Sequence, residues 1–246
     1  MPSPTDFNLS PYYDDFDEAK KFHRILFRPA FVVQARELTQ SQSILQNQVE
    51  KVSDHLFEKG AMVIPGEIGY DLNYFAVKLT SFSGTLSNYD GSVLTGGTSG
   101  VQAIVVNTAA TDGSDPDTLF VKYIKTGTNN TSVVFTDGET ITGVGADSSA
   151  VSAVVDTTAT GSAAEIQAGT YYINGFQVQV DNQTLILDKY TNTPSYRVGL
   201  TVTESFVTPS DDSTLNDNAA GSSNVNAPGA HRFKIQLTLA KLSLTS

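Results

Sequence analysis

Residues 34–60 read QARELTQSQSILQNQVEKVSDHLFEKG, and the reading of the whole fold turns on them. No glycine or proline interrupts the stretch before Gly60, which stands where a C-terminal glycine commonly ends a helix. The pattern predicts a helix over residues 34–59. Leu38, Leu45, Val49, Val52 and Leu56 recur at intervals of seven, four, three and four. In a heptad frame Leu38, Leu45 and Val52 take d, while Gln42, Val49 and Leu56 take a. The stripe is narrow, and its neighbours are mostly Gln, Asn and Ser rather than charged residues. Two readings stand side by side. The helix lies amphipathically on the domain that follows, or it self-associates around a symmetry axis through Leu38, Gln42, Leu45, Val49, Val52 and Leu56.

Outward from the helix, the two sides differ. Before it, Pro2, Pro4 and Pro11 disfavour helix, so residues 1–13 read as an extended arm. Six aromatics follow within 20 residues: Tyr12, Tyr13, Phe16, Phe22, Phe27 and Phe31. Asp14, Asp15, Asp17 and Glu18 precede Lys20, Lys21, Arg24 and Arg28, an order that matches the dipole of a short helix ended by Pro29. Residues 1–33 therefore read as an anchoring arm, with Tyr12, Tyr13, Phe16, Phe22, Arg24, Phe27 and Arg28 as candidates for docking on a partner.

After Gly60 the period becomes two. Residues 74–82 alternate as a strand does. Residues 84–165 form a block rich in Gly, Ser, Thr and Asp that carries a weak repeat. Leu94-Thr95-Gly96 leads to Val101-Gln102-Ala103-Ile104-Val105, and Ile141-Thr142-Gly143 leads to Val151-Ser152-Ala153-Val154-Val155. Two copies are too few for a solenoid and fit a small barrel with two similar halves. Thr118–Tyr123 and Ser132–Phe135 read as strands between the copies. In residues 170–180, Asn174-Gly175 separates two alternating runs, the strongest short hairpin signal. Strands are expected again over Thr184–Tyr190, Tyr196–Val207 and Phe233–Leu239, with a polar loop at about 208–230. The expected architecture is mainly β with one long N-terminal α-helix: a β-sandwich or barrel domain (61–83 and 166–246) carrying an inserted small β-barrel-like domain (84–165).

The 246 residues are 39% apolar and 17% charged, which suits β structure with many polar turns. A net charge of −11 repels nucleic-acid backbones and anionic lipid, so neither nucleic acid nor membrane is expected as a partner. With no cysteine, disulfides and thiolate metal sites are excluded. No run approaches 18 apolar residues, and Met1–Asp6 lacks the basic start and apolar core of a secretory signal.

Chemistry is sparse. His23, His55 and His231 lie far apart without metal spacing, and no Gly-x-Ser-x-Gly elbow occurs. Thr95-Gly96-Gly97-Thr98-Ser99-Gly100 is glycine-rich but lacks the lysine of a phosphate loop. Asp112-Gly113-Ser114-Asp115-Pro116-Asp117 alternates oxygen donors as calcium loops do, without their closing glutamate, and reads as a solvated turn. No catalytic, cofactor or metal residue is expected, and the chain is read as no enzyme.

Several separated motifs resemble one family. Tyr12-Tyr13-Asp14-Asp15-Phe16-Asp17, Phe22–Pro29 and Gln34–Gln40 look like the opening of a family of virion proteins of tailed phages, notably those infecting cyanobacteria. Gly169–Phe176, Leu187–Tyr190, Asn218–Ser222 and Asn226–Arg232 resemble it too, whereas residues 84–165 do so weakly. The resemblance implies a structural protein of the phage tail, at a baseplate or the root of a tail fibre. Other tail proteins would be its partners, and the seam of Leu38, Gln42, Leu45, Val49, Val52 and Leu56 adds further copies of itself, as a homotrimer. The alternative is a host-surface carbohydrate-binding module or receptor-binding fibre, with a polysaccharide depolymerase behind it. Tyr89 and Tyr123 are the only tyrosines in the 84–165 block, and the chain has no tryptophan.

Overall fold

The computed structural model describes residues 4–128 and 131–244. Among these residues one α-helix, α1 (Ala35–Leu56), precedes twelve strands. They are β1 (Met62–Ile64), β2 (Ile68–Phe82), β3 (Val93–Gly96), β4 (Gln102–Ala109), β5 (Thr118–Lys125), β6 (Thr140–Val144), β7 (Ala150–Ile166), β8 (Gly169–Ile173), β9 (Phe176–Val180), β10 (Gln183–Asp188), β11 (Tyr196–Val207) and β12 (Arg232–Ser243). The protein is mainly β, with one N-terminal helix and several antiparallel sheets, one of them a nearly closed ring. The sheets are β1-β8-β9, the ring, and the ribbon β11-β12. The chain divides into two compact units.

The ring unit takes Ile68–Glu165, Thr184–Gly199 and the last residues from Ala240. Its strand order is β10-β7-β2-β5-β4-β3-β6, and β6 returns to pair with β7. β7 is 17 residues long, enough to pair with β6 through Ala150–Val154 and still continue for another twelve residues. Period two puts every second side chain inside: Val101, Ala103 and Val105 beside β3, and Val151, Ala153 and Val155 beside β6. Leu94, Leu119, Val121, Ile141, Tyr89 and Phe135 complete that core. On the other face of β2 and β5, Tyr74 stacks on Phe120 at 4.9 Å beside Ala163.

The repeat seen in the sequence is the ring's construction. Copy one is the hairpin β3-β4, with Leu94 opposite Ala103; copy two is β6-β7, with Ile141 opposite Ala153. β3 and β6 pair antiparallel with Thr95 opposite Thr142, the equivalent residues of the two copies. A local two-fold axis therefore passes between these threonines.

The helical unit takes the residues up to Glu67, Ile166–Gln183 and Leu200–Leu239. Its hairpin β8-β9 turns at Asn174-Gly175, with Ile173 opposite Phe176 and φ of 48° and 89° at the two turn residues. That is the geometry Asn-Gly favours in a two-residue hairpin.

Four expectations need correction. The charged segment 14–28 forms only a 3₁₀ turn, Glu18–Lys20, which Asp17 caps and Lys21 ends in the left-handed region. Charge order without an apolar stripe does not meet the cost of nucleating a helix. α1 stops at Leu56, because Phe57 is extended; Gly60 instead donates its N–H to the Tyr172 carbonyl at 2.8 Å. Residues 132–135 are not a strand. Both edges of β5 are taken by β2 and β4, so the segment finds no partner there, and Phe135 packs into the core against Tyr123 at 5.4 Å. The ring is also wider than residues 84–165, since it includes β2 and has β10 at its edge.

Candidate assembly surface

α1 is started by Gln34, whose N–H donates to the Glu37 carboxylate at 2.9 Å. Its inward face is largely polar. Gln46 Nε2 donates to the Gly175 carbonyl at 2.7 Å, and the Tyr172 hydroxyl donates to Asp54 at 2.6 Å. Ser43 donates to the buried Asp14, and Gln40 donates to Asp15 at 2.8 Å. One large apolar side chain of the helix is buried, Ile44, and it lies off the heptad seam. The seam faces away from these contacts: Leu38, Leu45, Val49, Val52 and Leu56 are each between 50% and 67% exposed, and Gln42 is exposed with them. The helix thus buries hydrogen bonds and leaves an aliphatic row in water, the reverse of an ordinary amphipathic surface helix. Covering five such half-exposed side chains is worth on the order of 5 kcal/mol per helix before the costs of association.

The arm divides the docking candidates into two groups. Tyr12 is half-buried, its hydroxyl 2.7 Å from His231 Nδ1 and its ring 5.0 Å from that of Phe206. Phe16 is half-buried as well. These two hold the arm on its own unit. Tyr13, Phe22, Arg24, Phe27 and Arg28 are exposed, and the Arg28 guanidinium stacks on the Phe31 ring at 4.0 Å. Leu26 and Val32, at 76% and 92%, are more exposed than any of the aromatics.

Sequence reasoning missed an aromatic cluster assembled from four places. Phe7 packs edge-on to Phe233 at 4.9 Å and to Phe206 at 6.0 Å, and Phe176 lies 5.7 Å from Phe233. With Tyr12 and Gln42 these rings line an open crevice of about 720 Å³. A trough of about 600 Å³ shares Phe7, Asp14 and Phe176 with it and is also lined by Asp6, Asp15, Asp17 and Glu50. Burial, and then the neighbouring Asp54, push the Glu50 carboxyl above its ordinary value. The residues converge from the arm, α1, β9, β11 and β12. A lone Phe7 among prolines carries no period, so only the fold reveals the cluster.

No group of three or more His, Asp or Glu that could hold a metal occurs among the described residues. At the Asp112–Asp117 turn the Lys189 ammonium lies 2.7 Å from Asp112 and 3.1 Å from Asp115, where a cation would sit. That lysine holds the Asp112 carboxyl down at about 2. The glycine-rich turn after β3 does bind an anion, the chain's own Glu139. Its carboxylate accepts the N–H groups of Thr98 at 3.0 Å, Ser99 at 2.9 Å and Thr136 at 2.6 Å, together with the Ser99 hydroxyl at 2.8 Å.

Neither a curated protein nor a solved structure matches the chain. One family model does, over residues 10–117 and 106–243, so it spans both units and the arm. The chain belongs to the family described as a domain of unknown function, DUF4815.

Proposed function

We propose that the chain is a structural subunit of a phage tail, at a baseplate or the root of a tail fibre. It assembles as a homotrimer along the α1 seam and docks on a neighbouring tail protein through its N-terminal segment. One observation carries this reading: α1 turns its hydrogen-bonding face inward and its aliphatic row outward. Such a row calls for a protein partner, and a heptad row with Gln at one a position suits further copies of itself. The virion-protein motifs at both ends of the chain support the location. The glycan-binding alternative gains nothing from residues 84–165, where Tyr89 is fully buried and Tyr123 packs between Phe75 and Phe135.

Two measurements test the proposal. Mass spectrometry of purified particles finds peptides of this chain, and gold-labelled antibody against the ring unit marks the tail. In solution the protein has three times its chain mass, and Leu45→Glu with Val52→Glu reduces it to a monomer of unchanged circular dichroism. A chain absent from particles, or a stable wild-type monomer, overturns the reading.

A further inference from the structure

We propose that segment 22–33 of one copy lies in the crevice and trough of the next copy around the axis. The inference rests on the self-assembly part of the reading above.

Charge is the first ground. From residue 19 to residue 36 the chain has no acid, while Lys20, Lys21, Arg24, Arg28 and Arg36 are all cationic. The trough presents Asp6, Asp14, Asp15, Asp17 and Glu50, and the cations of the same copy that reach them, Lys20 and Arg36, both pair with Asp15. Within one copy Arg24 and Arg28 form no ion pair with a carboxylate among the described residues. Apolar surface is the second ground. Leu26, Phe27, Phe31 and Val32 stand in water, and the crevice beside the trough has Phe7, Phe176, Phe206 and Phe233 on its walls. The two surfaces match in charge and in apolar character, and Arg24, Leu26, Phe27, Arg28, Phe31 and Val32 line neither the crevice nor the trough of their own copy.

Position is the third ground. In its own copy the root of the segment lies on the other flank of α1, where Phe22 and Ile25 line a hollow with Gln40 and Ile44. The crevice lies on the flank of Gln42 and Gln46, with the exposed seam between the two flanks. In a cyclic assembly of more than two copies, one flank of each protomer faces the opposite flank of the next. Gln42 belongs both to the seam and to the crevice rim, so a neighbour seated on the seam arrives at the crevice mouth. Segment 22–33 enters α1 at Ala35, about 10 Å along the helix from Gln42. Three or four extended residues span that distance.

Because the chain has no cysteine, introduced ones report cleanly. Leu26→Cys and Asn47→Cys are placed on separately tagged chains, which are co-expressed and treated with a short bis-maleimide. The expected product joins the two different tags. In parallel, Arg24→Glu with Arg28→Glu weakens trimer formation at least tenfold at low salt, with native circular dichroism retained, and high salt narrows the difference. If the trimer forms but no link joins different tags, the exchange is overturned and self-assembly stands. A trimer indifferent to the charge reversal has the same meaning. If the unmodified chain is monomeric, both inferences fall.

Discussion

Glu139 shows how one residue converts an apparent motif into structure. The turn at residues 95–100 has the glycines of an anion-binding loop, and its backbone donors are already satisfied from within. Burial raises the Glu139 carboxyl, but its combined hydrogen bonds outweigh this and hold it below its ordinary 4.5. A lowered folded value means that the unfolded state binds more protons. The contribution is therefore complete above about pH 4.5 and is lost as pH falls through the folded value. Glu139→Gln places an amide donor against backbone donors, and leaving them unpaired costs about 3 kcal/mol near neutral pH. The urea midpoint at pH 6 measures that loss. Between pH 6 and pH 3 the variant loses less further stability than the wild type. Sequence could identify Asp137-Gly138-Glu139 as a turn, but not its receiving donors some 40 residues away.

At the scale of elements, what was legible is what is local. The hairpin at Asn174-Gly175 was readable because two residues dictate its turn. Gly175 has φ of +89°, and a Cβ there would lie 3.0–3.2 Å from the Glu50 side chain. Gly175→Ala is expected to cost about 1–2 kcal/mol, chiefly from the left-handed backbone, and a thermal melt reads it as a lower midpoint. Gly175 also helps to seat α1, since Gln46 donates to its carbonyl. The helix was legible as a helix, and its seam as a stripe. Which side faced the protein was not, because the inward face is made of Ser43, Gln46 and Asp54, polar residues whose partners come from elsewhere in the chain. Ile44 escaped notice because one apolar residue off the seam has no period. Residues 132–135 failed in the opposite way: Val133, Val134 and Phe135 have strand propensity, but pairing needs a free edge, and edges are a property of the sheet.

At the scale of the molecule, the doubled hairpin explains why a weak repeat was visible at all. Leu94, Val101, Ala103 and Val105 occupy the same inward positions as Ile141, Val151, Ala153 and Val155, so core packing holds the two copies alike. Around the axis at Thr95 and Thr142 the backbones come close, and a Cβ on Gly143 would fall 2.4 Å from the Val93 carbonyl oxygen. The ring can satisfy its own strands. The helical unit leaves its apolar row uncovered, so its stability is expected to depend on how many chains are present. Association adds to the stability of the folded chain by mass action, and dilution removes that addition. A hundredfold dilution removes about 1.8 kcal/mol per chain, which for a domain of this size lowers the midpoint by about 5 °C. Calorimetry across that range should show the shift in the wild type and none in Leu45→Glu with Val52→Glu. A wild-type midpoint that does not move with concentration means that the row on α1 is covered by something other than a second copy of this chain.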